Sequence, residues 1–195
     1  MSHHIYHTEG FVLESRNTGE ANRMITIYTR ELGMIRASAQ GIRHLKSKLR
    51  YALSDFSYAK IDFVRGKEIW RITSATPLPL LDNSLKDKKL IAIIASISKL
   101  MVRLCPGEEA NEALFEHLTQ SLNLLEQESF EERNLKNAEL LIVLRILYHL
   151  GYLNLATRED SMIRSPLTFS LLSEIEGIRK ELLMHINESL KETQL

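Results

Sequence analysis

The segment Arg36-Ala-Ser-Ala-Gln-Gly-Ile-Arg-His-Leu-Lys-Ser-Lys-Leu-Arg50 joins a strand-like alternation to the most concentrated positive charge of the chain. Apolar or small residues alternate with polar ones over residues 35–41, which predicts a strand with one buried face. No acidic residue lies between Glu31 and Asp55 to neutralise the cations that follow. A polyanion is therefore the expected partner of this segment.

The charge of the chain is unevenly distributed. The 195 residues include 25 Lys and Arg and 25 Asp and Glu, so the formal net charge is zero. Residues 1–80 contain 12 basic and 7 acidic residues, whereas residues 81–195 contain 13 and 18. The zero total is thus a cancellation between two unlike parts, and it does not exclude a nucleic-acid partner.

Cysteine usage and hydropathy limit the class of protein. Cys105 is the single cysteine, so one chain can form neither an internal disulfide nor a cysteine-based zinc site. The N-terminus lacks the apolar core of a signal peptide, and no apolar run is long enough to span a bilayer. We therefore predict a cytoplasmic globular protein that has no membrane association and no metal or other cofactor.

Residues 1–79 are predicted to form an N-terminal β domain. Runs rich in β-branched and aromatic residues indicate five strands, at residues 11–13, 24–29, 34–40, 56–64 and 69–73. Residues 30–33 are short enough for a hairpin, and residues 47–53 have the spacing of a short helix. Five strands with a helix between the third and the fourth follow the order of an OB-fold, a barrel that often binds oligonucleotides.

Residues 80–195 are predicted to form an all-α domain. Pro77 and Pro79 interrupt the strand pattern, and apolar residues recur at helical spacing after them. Residues 140–150 are apolar nearly all round, which predicts a central helix, whereas residues 152–165 have no regular pattern and indicate a loop. The expected fold class is therefore α+β, with an OB-fold barrel followed by helices.

Capping motifs predict where the first and third helices begin, and a glycine predicts where the third one ends. Ser84 with Asp87, and Ser129 with Glu132, have the spacing of capping boxes that open the first and third helices. Gly151 follows the apolar run and predicts the end of the third helix, since glycine adopts the left-handed backbone conformation at low cost.

The cations of residues 36–50 and of the neighbouring strands and loops are candidates for binding phosphates. Guanidinium groups bind phosphate oxygens in pairs, and each contact releases a counterion, so affinity should fall with salt. The strongest candidates are Arg43, Lys46, Lys48 and Arg50. The further candidates are Arg16, Arg23, Arg36, Lys60, Arg65, Lys67 and Arg71. From charge patterning alone, a solvated basic loop that only maintains solubility is an equally good interpretation.

Aromatic side chains are expected beside these charges, because unpaired bases stack on them. Tyr28 and Tyr58 lie on the polar phases of their strands, so we predict that they stack on bases. Trp70 shares its phase with Ile72, which favours a position in the core.

No set of residues in the sequence has the pattern of a catalytic site. Glu20 follows Gly19 but is accompanied by no second acid, nucleophile or metal motif. No Gly-x-x-x-x-Gly-Lys motif for binding nucleotide phosphates occurs. We therefore predict a binding protein rather than an enzyme.

Several short motifs together resemble the N-terminal signature of the bacterial recombination mediator family RecO. They are Gly10-Phe-Val-Leu13, Gly19-Glu20, Tyr28-Thr-Arg-Glu-Leu-Gly33, Ala39-Gln-Gly-Ile-Arg43, Ser47 and Leu53-Ser-Asp-Phe56. Leu144-Arg-Ile-Leu-Tyr-His-Leu-Gly-Tyr152 is similar to a segment of the family's helical domain.

The resemblance implies a function in DNA repair and homologous recombination, in a RecFOR-type pathway. It implies binding of single- and double-stranded DNA, annealing of complementary strands and partnership with RecR. It also implies contact with the C-terminal tail of single-stranded-DNA-binding protein, an indirect role in RecA loading and a place at the bacterial nucleoid. That tail is acidic and ends in Phe, so its pocket is expected near basic helical residues; the candidates are Lys86, Lys88, Lys89, Lys136 and Arg145.

Three features depart from the family pattern. Gln40 occupies a position where similar proteins usually carry Lys. Residues 152–165 contain no cysteine, whereas many members carry a four-cysteine zinc cluster there. The chain is also shorter than most members. Two other functions stay open from the residues alone: an OB-fold adaptor whose basic loop meets an acidic protein surface, and an RNA-binding protein.

Overall fold

The N-terminal part of the chain is a closed five-stranded barrel. The computed structural model describes residues 4–80, 86–127, 130–153 and 157–192. The strands are β1 (Ile5–Thr18), β2 (Asn22–Thr29), β3 (Gly33–Ala39), β4 (Tyr58–Arg65) and β5 (Trp70–Pro77), and the short helix α1 (Leu49–Ala52) separates β3 from β4. They close in the order β1-β2-β3-β5-β4, with β3 and β5 parallel and the other pairs antiparallel. The predicted OB-fold is confirmed.

The first strand is much longer than the sequence predicts. β1 extends over 14 residues, whereas its apolar run covers only residues 11–13. The N-terminal half pairs with β4, the C-terminal half pairs with β2, and a bulge between Val12 and Glu14 lies where the pairing changes. The first half of β1 contains polar residues such as His7 and Glu9. Hydropathy patterns detect a strand only where one of its faces is buried, so they do not indicate this half.

The interior of the barrel is apolar and extends into the short helix. The fully buried side chains include Val12, Ile25, Ile27, Ile35, Ile61 and Phe63. Each such side chain contributes about 1.5–3 kcal/mol on burial. Trp70 belongs to this core, as its phase predicts, and so do Ala52 and Leu53 at the end of α1. The helix is therefore anchored to the barrel rather than suspended in a loop.

Five helices follow the barrel in the described part of the chain. They are α2 (Lys88–Leu104), α3 (Glu112–Gln127), α4 (Glu132–His149), α5 (Thr157–Arg164) and α6 (Phe169–Glu192). α4 contacts α2, α3, α5 and α6, so the predicted central helix is confirmed. Gly151, with φ of 78°, follows its end as predicted.

The loop predicted for residues 152–165 is wrong, because α5 forms within it. Its eight residues contain only two large apolar side chains, Met162 and Ile163, and both are buried. Two adjacent apolar residues cannot display helical periodicity, so the element is not visible in the pattern.

The start of α2 differs by three residues from the predicted capping box. Asp87 is itself the N-cap, and its carboxylate accepts a hydrogen bond from the backbone N–H of Lys89 at 2.7 Å. Ser84 and Ser129 lie outside the described residues. Glu132 opens α4, where the N-cap Glu131 makes no side-chain capping bond.

Helices cover one region of the outer barrel wall. Phe11, Tyr28 and Tyr58 point away from the barrel interior and join the apolar core of the helices, where they meet Phe115 of α3. Arg30 forms an ion pair with Glu116, and its guanidinium lies 4.7 Å from the centroid of the Phe115 ring. The barrel and the helices therefore share a continuous apolar contact.

The loop between α2 and α3 rests on the hairpin between β2 and β3. The backbone N–H of Met34 donates to the carbonyl oxygen of Gly107 at 2.8 Å. Gly33 has φ of 67°, and a Cβ atom there would lie 2.4 Å from the carbonyl oxygen of Glu109. Glycine is thus required at this turn both by the backbone conformation and by the close approach of the loop.

Candidate nucleic-acid interface

A row of side chains crosses the part of the barrel wall that the helices leave open. Arg16 of β1 is aligned with Met24 of β2, which is aligned in turn with Ser38 of β3. Ser38 is aligned with Arg71 of β5. Both arginines are exposed. Neighbouring strands lie about 4.8 Å apart, so the row places a guanidinium at each end of a path of roughly 14 Å.

Gln40, which follows β3, contacts Arg71. The Nη2 of Arg71 donates to the Oε1 of Gln40 at 2.7 Å. The amide therefore orients the guanidinium, whereas a lysine at this position would repel it. At the other end of the row, the Nη2 of Arg16 lies 3.5 Å from the Oε1 of Glu14, which partly neutralises that charge.

Arg36 lies on the same outer face, aligned with Thr26 of β2. Its side chain is exposed and lines a groove of about 590 Å³ between the barrel and the end of α2. Glu68 and Glu108 line the same groove, so Arg36 shares its surroundings with carboxylates. Arg36 is accessible, but two carboxylates share its groove, whereas residues 43–50 include no acidic residue.

The basic segment, residues 40–50, borders the row of side chains. Arg43, Lys46, Lys48 and Arg50 are all exposed. Arg43 also ties the segment to the turn between β1 and β2. Its backbone N–H donates to the carbonyl oxygen of Ala21 at 3.0 Å, and its Nη1 donates to that of Gly19 at 3.1 Å. Arg43 is thus an anchor of the segment as well as one of its charges.

An exposed aromatic ring lies at the C-terminal end of this segment. Tyr51 of α1 is 79% exposed, and Leu45 in the preceding turns is 84% exposed. Tyr51 is not among the binding residues that the sequence predicts. The spacing of Leu49 and Leu53 could have indicated it, since these residues mark the buried side of a short helix and Tyr51 lies on the opposite side.

The prediction that Tyr28 and Tyr58 stack on bases is wrong. They are 1% and 8% exposed. Tyr28 donates through its hydroxyl to the carbonyl oxygen of Asn111 at 3.3 Å, and Tyr58 donates to the Oε2 of Glu9 at 2.5 Å. Burial raises the pKa of both hydroxyls well above the usual range. The polar phase correctly places them outside the barrel, but α3 covers that side.

Two predicted cations lie away from the row and the basic segment. Lys60 is on β4, where its aligned neighbour on β1 is Glu9. Arg65, at the end of β4, has its Nη2 3.5 Å from the Oε2 of Glu108, and its guanidinium lies 5.3 Å from the Trp70 ring centroid. Lys60 lines a groove with Glu9 and Arg30, whereas Arg36 lines a different one.

Arg23 and Lys67 lie at ends of the barrel. Arg23 is half-buried, and its Nε donates to the Oδ1 of Asn17 at 3.2 Å across the turn between β1 and β2. Lys67 is exposed in the connection between β4 and β5. Their part in binding stays a prediction, as it does for the other cations.

Arg145 is excluded as a docking residue, because it is 1% exposed inside the helical bundle. Its guanidinium donates to the hydroxyl of Ser121 at 3.4 Å and to the carbonyl oxygen of Met162 at 3.2 Å, and it also bonds the carbonyl oxygen of Ser165. Burial lowers its pKa to about 10. Its contacts join α4 to α3 and to α5, so it is a structural residue.

Lys136 lies in a shallow groove between α4 and α6. The groove has a volume of about 280 Å³ and is lined by Glu132, Arg133, Lys136, Asn137, Glu176 and Arg179. Its cations are paired in part: the Nζ of Lys136 lies 2.8 Å from the Oε1 of Glu132. Lys89 at the start of α2 also reaches Glu132, at 3.3 Å.

The described residues set limits on other kinds of site. None of their helices has the length and apolar character needed to cross a membrane. Nor do they include a group of three or more His, Cys, Asp or Glu side chains that could hold a metal ion. Cys105 is buried, and this burial raises the pKa of its thiol to about 12.

The fold and the charged surface define an OB-fold chain with a helical extension and an exposed basic segment beside the barrel. Two family models match it: Recombination protein O N terminal over residues 1–80, and Recombination protein O C terminal over residues 85–156. The chain belongs to the recombination protein O (RecO) family, as the motifs predict.

Curated relatives agree with this assignment. The chain is 32% identical over 124 residues to a DNA repair protein RecO of Alkaliphilus metalliredigens, which covers 64% of this chain and 50% of that protein. It is 31% identical over 137 residues to a DNA repair protein RecO of Dehalococcoides mccartyi, with 70% and 54% covered. It is 32% identical over 124 residues to a DNA repair protein RecO of Pelotomaculum thermopropionicum, and the match covers 62% of this chain and 47% of that protein. The chain spans about half the length of the curated relatives it matches.

Proposed function

We propose that this chain is a non-enzymatic DNA-binding mediator of DNA repair and homologous recombination, acting at the nucleoid in the bacterial cytoplasm. Residues 1–79 form its DNA-binding domain, and residues 80–195 form a domain that binds protein partners. The observation that carries the proposal is the exposed basic segment beside the open barrel wall. Four exposed cations lie in it, and no acidic residue occurs from residue 32 to residue 54.

The position of the basic segment supports a binding path along the barrel. Through Arg43 the start of the segment is tied to the turn between β1 and β2. At its end, α1 contacts β5, the strand that carries Arg71. The segment is therefore tied to the turn that follows β1, the strand of Arg16, and to β5, the strand of Arg71. A single strand laid along this path would meet phosphate-binding cations at several positions.

The same charges account for annealing of complementary strands. Two DNA strands repel each other, and cations that neutralise phosphates reduce this repulsion. Phosphate contacts carry no sequence information, so binding is expected to tolerate any sequence and to include double-stranded DNA. Base pairing between the strands then supplies the specificity, and the protein needs no reacting group.

The groove between α4 and α6 supports contact with the acidic tail of single-stranded-DNA-binding protein. Its three basic side chains belong to Arg133, Lys136 and Arg179. The pairs of Arg133 with Glu176 and of Lys136 with Glu132 are exposed. Arg179 instead donates to the Oδ1 of Asn137. Exposed ion pairs contribute about 0–1 kcal/mol, so a tail carboxylate can replace them at low cost. Partnership with RecR and help in RecA loading rest on membership of the family.

Charge reversal of the basic segment tests the proposal. The triple variant Arg43→Glu, Lys46→Glu, Lys48→Glu should lose binding of single-stranded DNA and annealing of complementary strands, as measured by fluorescence anisotropy and by a strand-annealing assay. Its circular dichroism and thermal midpoint verify that it folds.

A matched control changes net charge by the same amount elsewhere. The variant Lys99→Glu, Arg103→Glu, Lys180→Glu reverses three exposed cations of α2 and α6, and it should retain binding and annealing. A folded first variant that binds and anneals normally would contradict the proposal, and so would equal losses in the two variants.

A further inference from the structure

The exposure of Tyr51 distinguishes it from every other Phe, Tyr and Trp of the barrel. Among the described residues 4–80, no other Phe, Tyr or Trp is exposed to solvent, whereas Tyr51 is 79% exposed. Single exposed apolar residues are common on protein surfaces and need no function by themselves. A role for the Tyr51 ring therefore has to be argued from the residues around it.

The backbone that carries Tyr51 is held by buried contacts on both sides. Leu49 packs against the barrel core, and Ala52 and Leu53 are fully buried. The N–H of Leu53 donates to the carbonyl oxygen of Leu49 at 3.0 Å, and the hydroxyl of Ser57 donates to that of Ala52 at 2.8 Å. The ring is thus projected from a fixed position, and ordering it on a ligand requires fixing only its own torsions.

Three cations directly precede Tyr51 in the sequence. Lys46, Lys48 and Arg50 precede it and are exposed, and none of them has an ion-pair partner among the described residues. A phosphate backbone held by these cations would carry its bases past the ring. An aromatic ring among backbone-binding cations is the combination that proteins use for single-stranded nucleic acids.

We propose that Tyr51 is a base-stacking residue that gives the basic segment its preference for unpaired DNA, an inference that rests on the proposed DNA-binding function. In a single strand the face of a base is accessible, and it can lie on the tyrosine ring. In a duplex both faces of each base are covered by neighbouring base pairs. Tyr51 therefore strengthens binding to single strands and leaves binding to duplexes to the charges.

The test compares four variants on three probes at one salt concentration. The probes are a thymidine oligonucleotide, an oligonucleotide of equal length whose sugars lack bases, and a duplex. Tyr51→Ala should weaken binding to the thymidine strand about 10-fold and change binding to the other two probes by less than about 2-fold. Tyr51→Phe and Tyr51→Trp keep the aromatic face and should retain wild-type affinity. Leu45→Ala removes an equally exposed side chain that has no aromatic face, and it should have little effect.

Tryptophan fluorescence measures the contact between residue 51 and a base directly. Trp70 is the single native tryptophan, and it is buried. In Tyr51→Trp the new indole should be quenched when the thymidine strand binds, but not when the base-free strand binds. The wild-type protein, in which Trp70 is the single tryptophan, gives the background for this measurement.

Three results would overturn the inference: wild-type affinity of Tyr51→Ala for the thymidine strand, an equal loss in Leu45→Ala, or an unquenched Tyr51→Trp that binds normally. These results leave the proposed function intact as long as the charge-reversed triple variant loses DNA binding. If the wild-type protein binds none of the three probes at low salt, the proposed function fails, and the role of Tyr51 fails with it.

Discussion

The outer face of β2 and β3 is covered by helices at one end and open to solvent at the other. At the hairpin end, Tyr28 and Met34 are buried under α3 and the loop between α2 and α3. At the other end, Met24 and Ser38 lie in an open row that ends at exposed arginines. Both sets of residues have the same phase along the same strands. Alternation therefore tells which side of a barrel wall a residue faces, and the packing of the helices decides whether that side reaches a ligand.

This difference assigns different consequences to mutations at the two ends. Substitutions at the covered end should reduce the stability of the fold and leave the DNA affinity of the folded molecules unchanged. Substitutions at the open end should change DNA affinity or its dependence on salt, while stability stays nearly constant.

Phe115→Ala should have the largest effect on stability. Phe115 is fully buried and contacts the rings of Phe11, Tyr28 and Tyr58. Removing a buried Phe side chain usually costs about 3–5 kcal/mol of unfolding free energy, because it leaves a cavity. Urea denaturation measures this loss. A change below about 1 kcal/mol would mean that the covered end does not hold the barrel to the helices.

Gly33→Ala should destabilise the protein more than Gly19→Ala. Both glycines have positive φ, of 67° and 62°, so each alanine has a similar backbone strain of about 1–2 kcal/mol. A Cβ at Gly33 would also collide with the backbone of Glu109, whereas nothing lies within 4 Å of a Cβ at Gly19. The difference between their thermal midpoints measures the contact between hairpin and loop. Equal midpoints would contradict that contact.

Gln40→Lys should have the smallest effect, and only on binding. The lysine adds one phosphate-binding charge at the open end, so the slope of log affinity against log salt should steepen by about 0.7 for single-stranded DNA. Surface substitutions of this kind change stability by less than about 0.5 kcal/mol. Gln40→Leu, which removes the hydrogen bond to Arg71 without adding charge, is the control. An unchanged slope in Gln40→Lys would show that position 40 lies off the DNA path.

Much of the barrel can be predicted from local patterns. The succession of strands along the chain, the short helix before β4, the turn at Gly33 and the core position of Trp70 all follow from residues that are close in sequence. Each is expressed as alternation, spacing or a glycine, and these signals depend little on the rest of the chain. The same holds for the central helix α4, whose apolar residues surround its whole axis.

Three features that were not predicted depend on contacts between distant residues. Tyr28 is buried by α3, more than 80 residues later in the chain. The first half of β1 is identified by its pairing with β4 rather than by its own hydropathy. The tie between Arg43 and Gly19 spans 24 residues. None of these contacts has a counterpart in local periodicity, so the sequence identifies the charges of the candidate site but not the surface on which they meet.

The salt dependence of binding tests the central claim most directly. Anisotropy of a labelled single-stranded oligonucleotide gives the affinity of the wild-type protein and of the variant with Arg43, Lys46 and Lys48 changed to Glu. If four cations of the basic segment contact phosphates, log affinity should fall with log salt with a slope of about −3, and the variant should show little binding at any salt concentration. An affinity that does not change with salt, or the same slope and affinity in a folded variant, would contradict the account.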